Sequence, residues 1–334
     1  MPLSTNEKTN ETAAALVKTL QGAFHTPAGF RPAHARGILI NGTFTPTPEA
    51  SSLSKATHFN QSSTPVTVRF SNSTGLPQIP DNANDANPRG MAVRFNLPQV
   101  NGRRQHTDII AHSTPYFPVR TGEMFLELLG AIGASSDASK PPPSPSPIEV
   151  YLGNTPSAKA FVEAPKPTPA SFATEKYFGV NAFKLIAAAD EGEGGSGKET
   201  FIRYRITPDA GERHLSEEEA KSKDPAFLHN EIQTRLIDGD TASFSVWAQI
   251  ANGGDTTDDA TVRWPEDREL VKLGTVKLDA VVDGDENDEK QRTMIFDPVP
   301  RVEGVEPSDD PLIDMRATIY LISGRERRAA GPHH

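Results

Sequence analysis

Apolar residues recur along the chain with two different periods, and the changes of period mark the elements. Over residues 11–23, Ala14, Leu16, Val17 and Leu20 share one face at helical spacing and predict a helix. From Arg31 to about Phe117 the pattern shifts to short β segments. Gly37–Asn41, Val66–Ser71, Met91–Asn96 and Asp108–Ile110 are the candidate strands, divided by Asn, Pro, Gly and Asp turns. Helical spacing returns over Gly122–Ile132, with Met124, Phe125, Leu128 and Leu129 facing inward. Residues 137–170 hold Pro141–Pro143 and several further prolines, which forbid long regular structure and predict a surface excursion with short helices.

Residues 174–206 read as strands around a charged loop at Asp190–Glu199, followed by helices over Leu215–Lys221 and Pro225–Leu236. Ser243–Ile250, Lys277–Asp283 and Thr293–Phe296 read as strands, and Pro311–Leu321 as a helix. No internal repeat is present. Many short strands without a βαβα rhythm predict an antiparallel α+β architecture.

Composition narrows the chemistry. Hydrophobic residues are 36% of 334 and charged residues 23%, a balance that suits a globular protein with a substantial core. No apolar stretch approaches the roughly 20 residues that span a bilayer. Residues 1–10 are polar and lack the layout of a signal peptide, so the expected location is intracellular, cytoplasmic or organellar. The peroxisomal Ser-Lys-Leu ending is absent, and the sequons at Asn10, Asn41, Asn60 and Asn72 are discounted. A net charge of −10 disfavours nucleic acid and anionic membranes as partners. With no cysteine, disulfides, thiolate catalysis and cysteine-ligated metals are excluded. Asp283, Asp285 and Asn287 have the first three spacings of a calcium loop. The glycine and glutamate that complete it are missing, so that segment and 254–259 read as solvated loops.

The chemistry-bearing residues lie near the two ends. Arg316 and Tyr320 are four apart on the predicted last helix, so they share a face one turn apart. A guanidinium beside a phenol favours phenolate, a form that ligates ferric iron. Alone, such a pair is more often a surface arginine beside a half-buried tyrosine. Arg31-Pro32-Ala33-His34-Ala35-Arg36-Gly37 places a histidine at the entry to a strand, and Val66–Ser71 places Arg69 and Ser71 on one strand face.

Context comes from a resemblance. Phe296-Asp297-Pro298, Gly304-Val305-Glu306-Pro307-Ser308 and Arg316…Tyr320 resemble the ordered proximal motifs of haem catalases. The His34 run resembles the catalase R-x-x-H-A-[KR]-G segment, and Val66–Ser71 its V-R-F-S strand. Asn87–Phe95 resembles D-P-R-G-F-A-V-K-F and is assigned to the scaffold. Asp108–Phe117 is similar to D-L-V-G-N-N-T-P-x-F, with His112 where the family has its catalytic asparagine. The segments 216–236 and Trp264–Gly274 also match, so the likeness runs from about Gly29 to Arg328.

The resemblance implies an antiparallel β-barrel with surrounding helices, without the family's long N-terminal arm and C-terminal helical domain, of the small catalase-related peroxidase type. The expected divisions are a lead-in over 1–28, a haem-binding domain over 29–328 and a tail over 329–334. It implies one haem b with Tyr320 as iron ligand and Arg316 as its charge partner. Arg31, Arg69 and Arg327 would hold the propionates, and Phe117 and Phe125 would pack beside the haem. His34 would be the distal acid–base group, with Ser71 fixing its tautomer. His112 shapes the distal pocket if it points inward; if it points away, Ser113 takes the polar role. The implied activity is reduction of hydrogen peroxide or an organic hydroperoxide by an organic reductant, with residual catalase activity. Efficient peroxide dismutation, conversion of an organic hydroperoxide or alkene, and a haem carrier or sensor are the alternatives. A homodimer is the expected assembly.

Overall fold

Alternation of apolar and polar positions along the strands decides the architecture. The computed structural model describes residues 2–136, 144–189 and 197–331. The strands are β1 (Gly37–Pro46), β2 (Thr64–Ser71), β3 (Gly90–Val100), β4 (Arg103–His112), β5 (Tyr177–Phe178), β6 (Phe183–Ile186), β7 (Glu199–Pro208), β8 (Ala242–Ile250), β9 (Leu270–Val281) and β10 (Val305–Pro307). Each pairing among them is antiparallel. The order β7-β5-β4-β3-β2-β1-β9-β8 returns from β8 to β7 and closes an eight-stranded barrel, with β6 added beside β7 and β10 beside β6. Closure removes the free edges that an open sheet would carry.

One face of each strand fills the barrel. Val66, Val68, Phe70, Met91, Val93, Phe95, Ile109 and Ala111 join Phe172, Phe244 and Leu278 in a single buried cluster. Each fully buried large side chain contributes about 1.5–3 kcal/mol. The intervening residues of β1 to β4 face outward, where the helices pack.

The helices are α1 (Glu7–Phe24), α2 (Pro48–Leu53), α3 (Gly122–Ser135), α4 (Pro147–Asn154), α5 (Pro156–Glu163), α6 (Glu217–Ser222), α7 (Phe227–Ile237), α8 (Gly284–Thr293) and α9 (Pro311–Ala329). The helix α1 begins at Asn6, whose side chain accepts from the amides of Lys8 and Thr9. Its apolar face, with Ala13 and Leu16, packs on Met315 and Ile319 of α9 and on Phe125 and Leu129 of α3. The helix α9 starts with Pro311 at its first position and Asp310 as cap, which accepts from Leu312 N at 2.9 Å. Among the described residues no helix is long and apolar enough to cross a membrane.

Two expectations are corrected. Asp283–Glu289 is not a loop: Asp283 immediately precedes α8, Asp285 and Glu286 sit in its first turn, and Lys290 and Arg292 in its last. This helix buries no residue, so hydrophobic period could not reveal it. Thr293–Phe296 is not a strand. The carbonyls of Thr293, Met294 and Ile295 accept from Arg328, from Arg31 and Arg327, and from Arg94, so guanidiniums replace a neighbouring strand. The strand β9 also starts earlier than the pattern indicates, at Leu270. The short helices expected after residue 137 are α4 and α5, while Pro141–Pro143 and most of the loop at 190–199 lie outside the described residues.

Candidate active site

The outer faces of β1 to β4 carry the chemistry, and strand register fixes the neighbours. Gly37 pairs with Ser71, Ser71 with Gly90, and Gly90 with His112, giving one row across four strands. The next row on that face is Leu39, Arg69, Ala92 and Ile110. Glycine and alanine alternate with functional side chains, so the wall is flat where Gly37, Gly90 and Ala92 stand.

His34 lies over Gly90. A Cβ at Gly90 would come within 2.9 Å of His34 Nδ1 and 2.5 Å of Ser71 Oγ, so glycine leaves the imidazole its place. The Nδ1 of His34 is 3.1 Å from Ser71 Oγ. His34 also takes a left-handed backbone conformation with φ 56°, a strained choice for a non-glycine residue that the surrounding fold must enforce. Burial, followed by the positive charge of Arg69, pushes its pKa down to about 4. The imidazole is therefore a neutral base at pH 7.

His112 ends β4. Its Nδ1 accepts from Thr114 N at 3.2 Å, which places the proton of the neutral ring on Nε2. That Nε2 is buried and has no hydrogen-bond partner among the described residues. Burial and the nearby charges of His34 and Arg316 push the pKa of His112 down to about 3. Phe117 and Phe161 stand edge-on to its ring, each with its centroid at 6.5 Å. Ser113 takes no part in this face, since its Oγ accepts from Arg89 N at 2.9 Å.

The helix α9 brings the second pair. Arg316 Nη2 is 3.1 Å from Tyr320 OH, as helical spacing requires. Arg316 Nη1 donates to Asn181 Oδ1, and Asn181 Nδ2 donates to Asp310 Oδ2 at 2.8 Å. The neutral amide thus stands between the guanidinium and the carboxylate. Arg316 is close enough to lower the pKa of both His34 and His112, so this end of α9 faces the barrel wall that carries them.

Three more guanidiniums converge beside this wall. Arg31 donates to Gln291 O and Met294 O, Arg69 to Gln291 Oε1 and Ala35 O, and Arg327 to Arg292 O, Met294 O and Ser323 Oγ. None of these partners is a carboxylate. Burial and mutual repulsion lower the pKa of Arg31 well below its ordinary value and that of Arg69 to about 9; burial lowers that of Arg327 to about 10. A buried cationic cluster whose partners are all neutral fits an acidic ligand. The flat wall, the carboxylate-seeking cluster, the orphaned His112 N–H and a phenol paired with arginine together fit a planar group bearing carboxylates and a metal that accepts a phenolate.

Of the sequence-predicted residues, Arg31 and His34 precede β1, Arg69 and Ser71 lie on β2, His112 ends β4, and Arg316, Tyr320 and Arg327 lie on α9. Phe117 reaches His112, and Phe125 packs on Phe117 at 5.4 Å, though Phe125 belongs equally to the seam between α1, α3 and α9. Asn181, Asp310, Gln291, Gly90 and Phe161 escaped the sequence reading. The pairing of Asn181 with α9 spans 135 residues and leaves no local signal. Gly90, where β3 begins, and Asp310, just before the proline that starts α9, stand at element boundaries and had local signals.

A barrel with these two constellations defines a class, and comparison with known proteins gives its family. The family described as Catalase matches residues 17–334, and the chain belongs to it. Within it the chain is of the small catalase-related peroxidase type. It is 34% identical over 324 residues to the catalase-related peroxidase of Mycolicibacterium paratuberculosis, covering 95% of this chain and 96% of that one. It is 30% identical over 322 residues to the catalase-related peroxidase of Synechococcus elongatus, covering 96% and 89%. A fungal catalase structure superposes with a TM-score of 0.75 at 20% identity, over 93% of this chain. A bacterial catalase does so with 0.74 at 22% identity, over 98% of this chain. The chain spans 62% of the length of each of these two catalases. Their likeness shows the barrel fold; the family implies a haem.

Proposed function

We propose that this chain is a haem b peroxidase that reduces hydrogen peroxide or organic hydroperoxides with a small organic reductant and retains some catalase activity. The relatives matched over nearly the whole length are catalase-related peroxidases, and the chain is a haem-dependent oxidoreductase acting on peroxide. The observation that supports the residue assignments is the cluster of Arg31, Arg69 and Arg327, whose hydrogen-bond partners are all neutral, in a chain that also holds the Arg316–Tyr320 and His34–Ser71 pairs.

Tyr320 would ligate the iron through its oxygen, with the Arg316 guanidinium 3.1 Å from it. Arg31, Arg69 and Arg327 would hold the two propionates, and Phe117 and Phe125 the rim. Bound there, a haem supplies the iron and the redox equivalents for cleaving the O–O bond. His34 takes the proton from the near peroxide oxygen and returns it to the far oxygen, which leaves as water or alcohol. Ser71 keeps the imidazole in place. His112 presents its Nε2–H as a fixed donor to the bound peroxide.

Two outcomes follow. His34 has a folded pKa below its unfolded value, so it is already neutral at pH 7 and charges only as pH falls through about 4. The rate of reaction with peroxide is therefore expected to stay flat from pH 8 to 5 and to fall below that, with a midpoint near 4. A midpoint near 6.5 in stopped-flow measurements contradicts this assignment. The unfolded chain takes up that proton near 6.5, so folding stability declines as pH falls from there toward 4.

His112→Asn keeps an N–H donor in a smaller side chain. It is expected to raise oxygen release relative to phenolic dye oxidation several-fold. An unchanged ratio means that His112 does not shape the pocket. The same pair of assays on the unaltered protein tests the function. Dye turnover with little oxygen supports the peroxidase reading, and rapid oxygen release from millimolar peroxide supports an efficient catalase.

A further inference from the structure

The helix α8 buries no residue, so apolar packing does not hold it in place. Arginine hydrogen bonds hold it instead. The last carbonyls of a helix lack intrahelical partners and carry its negative end. In α8, Gln291 O accepts from Arg31 Nη1 at 2.7 Å, Arg292 O from Arg327 Nε at 3.2 Å and Thr293 O from Arg328 Nη2 at 2.7 Å. One residue on, Met294 O accepts from Arg31 Nη2 at 3.1 Å and from Arg327 Nη2 at 2.9 Å.

Gln291 adds its side chain to this arrangement. Its Oε1 accepts from Arg69 Nε at 2.7 Å and from Arg31 Nη1 at 3.2 Å, so one neutral oxygen joins two guanidiniums. Its Nε2 donates to Gly37 O at 2.9 Å, which ties the amide to β1. A Cβ at Gly37 would come within 2.5 Å of the Arg69 guanidinium carbon, so glycine gives the arginine its place there. Arg69 Nη2 donates to Ala35 O at 3.1 Å, and with Nε committed to Gln291 the plane of the guanidinium is fixed. Within α8, Asp285, Glu286, Asp288 and Glu289 are acidic, yet the position that reaches the arginines holds an amide. A glutamate of the same shape would pair with both cations and cancel charge that a carboxylate ligand needs.

We propose that Gln291 is a cofactor-positioning residue, which holds Arg31 and Arg69 side by side through an uncharged oxygen and so leaves their charge for the haem propionates. The inference rests on the haem peroxidase reading. It gives α8, which lies outside the apolar core, a role in the site: its last turn orders the arginines without neutralising them.

The test compares ferric haem with its dimethyl ester, in which both propionates are neutral, by titration into the haem-free chain. The unaltered chain is expected to prefer haem. Gln291→Glu sets a carboxylate between the two arginines with little change in side-chain size. It is expected to weaken haem binding about tenfold, the usual size of one charge-assisted hydrogen bond, and to leave ester binding unchanged. The same variant is expected to raise the thermal midpoint of the haem-free chain, because it compensates buried cations. An unchanged preference for haem over ester in Q291E overturns the proposal. So does an equal loss of both porphyrins with a lower midpoint, the outcome of a merely structural role. Equal affinity of the unaltered chain for haem and ester overturns the proposal through the arginine–propionate assignment and leaves the haem reading standing. Binding of neither porphyrin sinks the haem reading and this inference with it.

Discussion

Tyr320→Phe is expected to remove most of the haem from the purified protein. The change deletes one oxygen and keeps the ring, so the packing of α9 against α1 and α3 survives. Loss of an outer-shell partner costs a metal site roughly 10–100-fold in affinity. Loss of the axial oxygen itself is expected to exceed that. Arg316→Leu keeps the phenol but removes the cation 3.1 Å from it, and is expected to have the smaller effect. Haem titration of the two variants checks both order and size. Equal affinity in Y320F and the unaltered chain contradicts the assignment of Tyr320.

The second large effect is catalytic. His34→Ala is expected to retain haem, because His34 contributes nothing to the arginine cluster or to the phenol. It is expected to slow the reaction with peroxide by about 10²–10⁴-fold, the usual contribution of a positioned acid–base group. The measurement is the second-order rate of the spectral change on mixing with peroxide. A rate within threefold of the unaltered protein means that the proton moves by another route.

The neighbours within each constellation were legible in the sequence because each pairing is local, while their roles came from the resemblance to haem catalases. Arg316 and Tyr320 are one helical turn apart, and Arg69 and Ser71 share a strand face, so elementary periodicity brings each pair together. That His34 lies over Gly90 needs the register of β2 on β3, which follows from which face of each strand is apolar. What the sequence hid is non-local or polar. Asn181 reaches Arg316 across 135 residues. The helix α8 buries nothing, so Gly284–Glu289 read as a charged loop. The segment after it looked like a strand because Met294, Ile295 and Phe296 are apolar. Guanidiniums from the two ends of the chain and from β3 occupy its carbonyls instead.

Buried arginines divide into those with a carboxylate partner and those without. Arg94 has its carboxylate, Asp108, at 2.7 Å. Arg31, Arg69 and Arg327 satisfy their donors with carbonyls, an amide oxygen and a hydroxyl, which leaves their charges uncompensated among the described residues. Anionic groups arriving at that cluster are expected to stabilise the fold as well as fill the site.

The function proposed for this site depends most on a phenolate oxygen from α9 meeting iron opposite His34. The absorption and resonance Raman spectra of the protein reconstituted with ferric haem test this directly. The expected result is one haem per chain, high-spin, with tyrosinate vibrations that vanish in Y320F. A low-spin spectrum with histidine ligation, or a haem-loaded protein without tyrosinate bands, contradicts it.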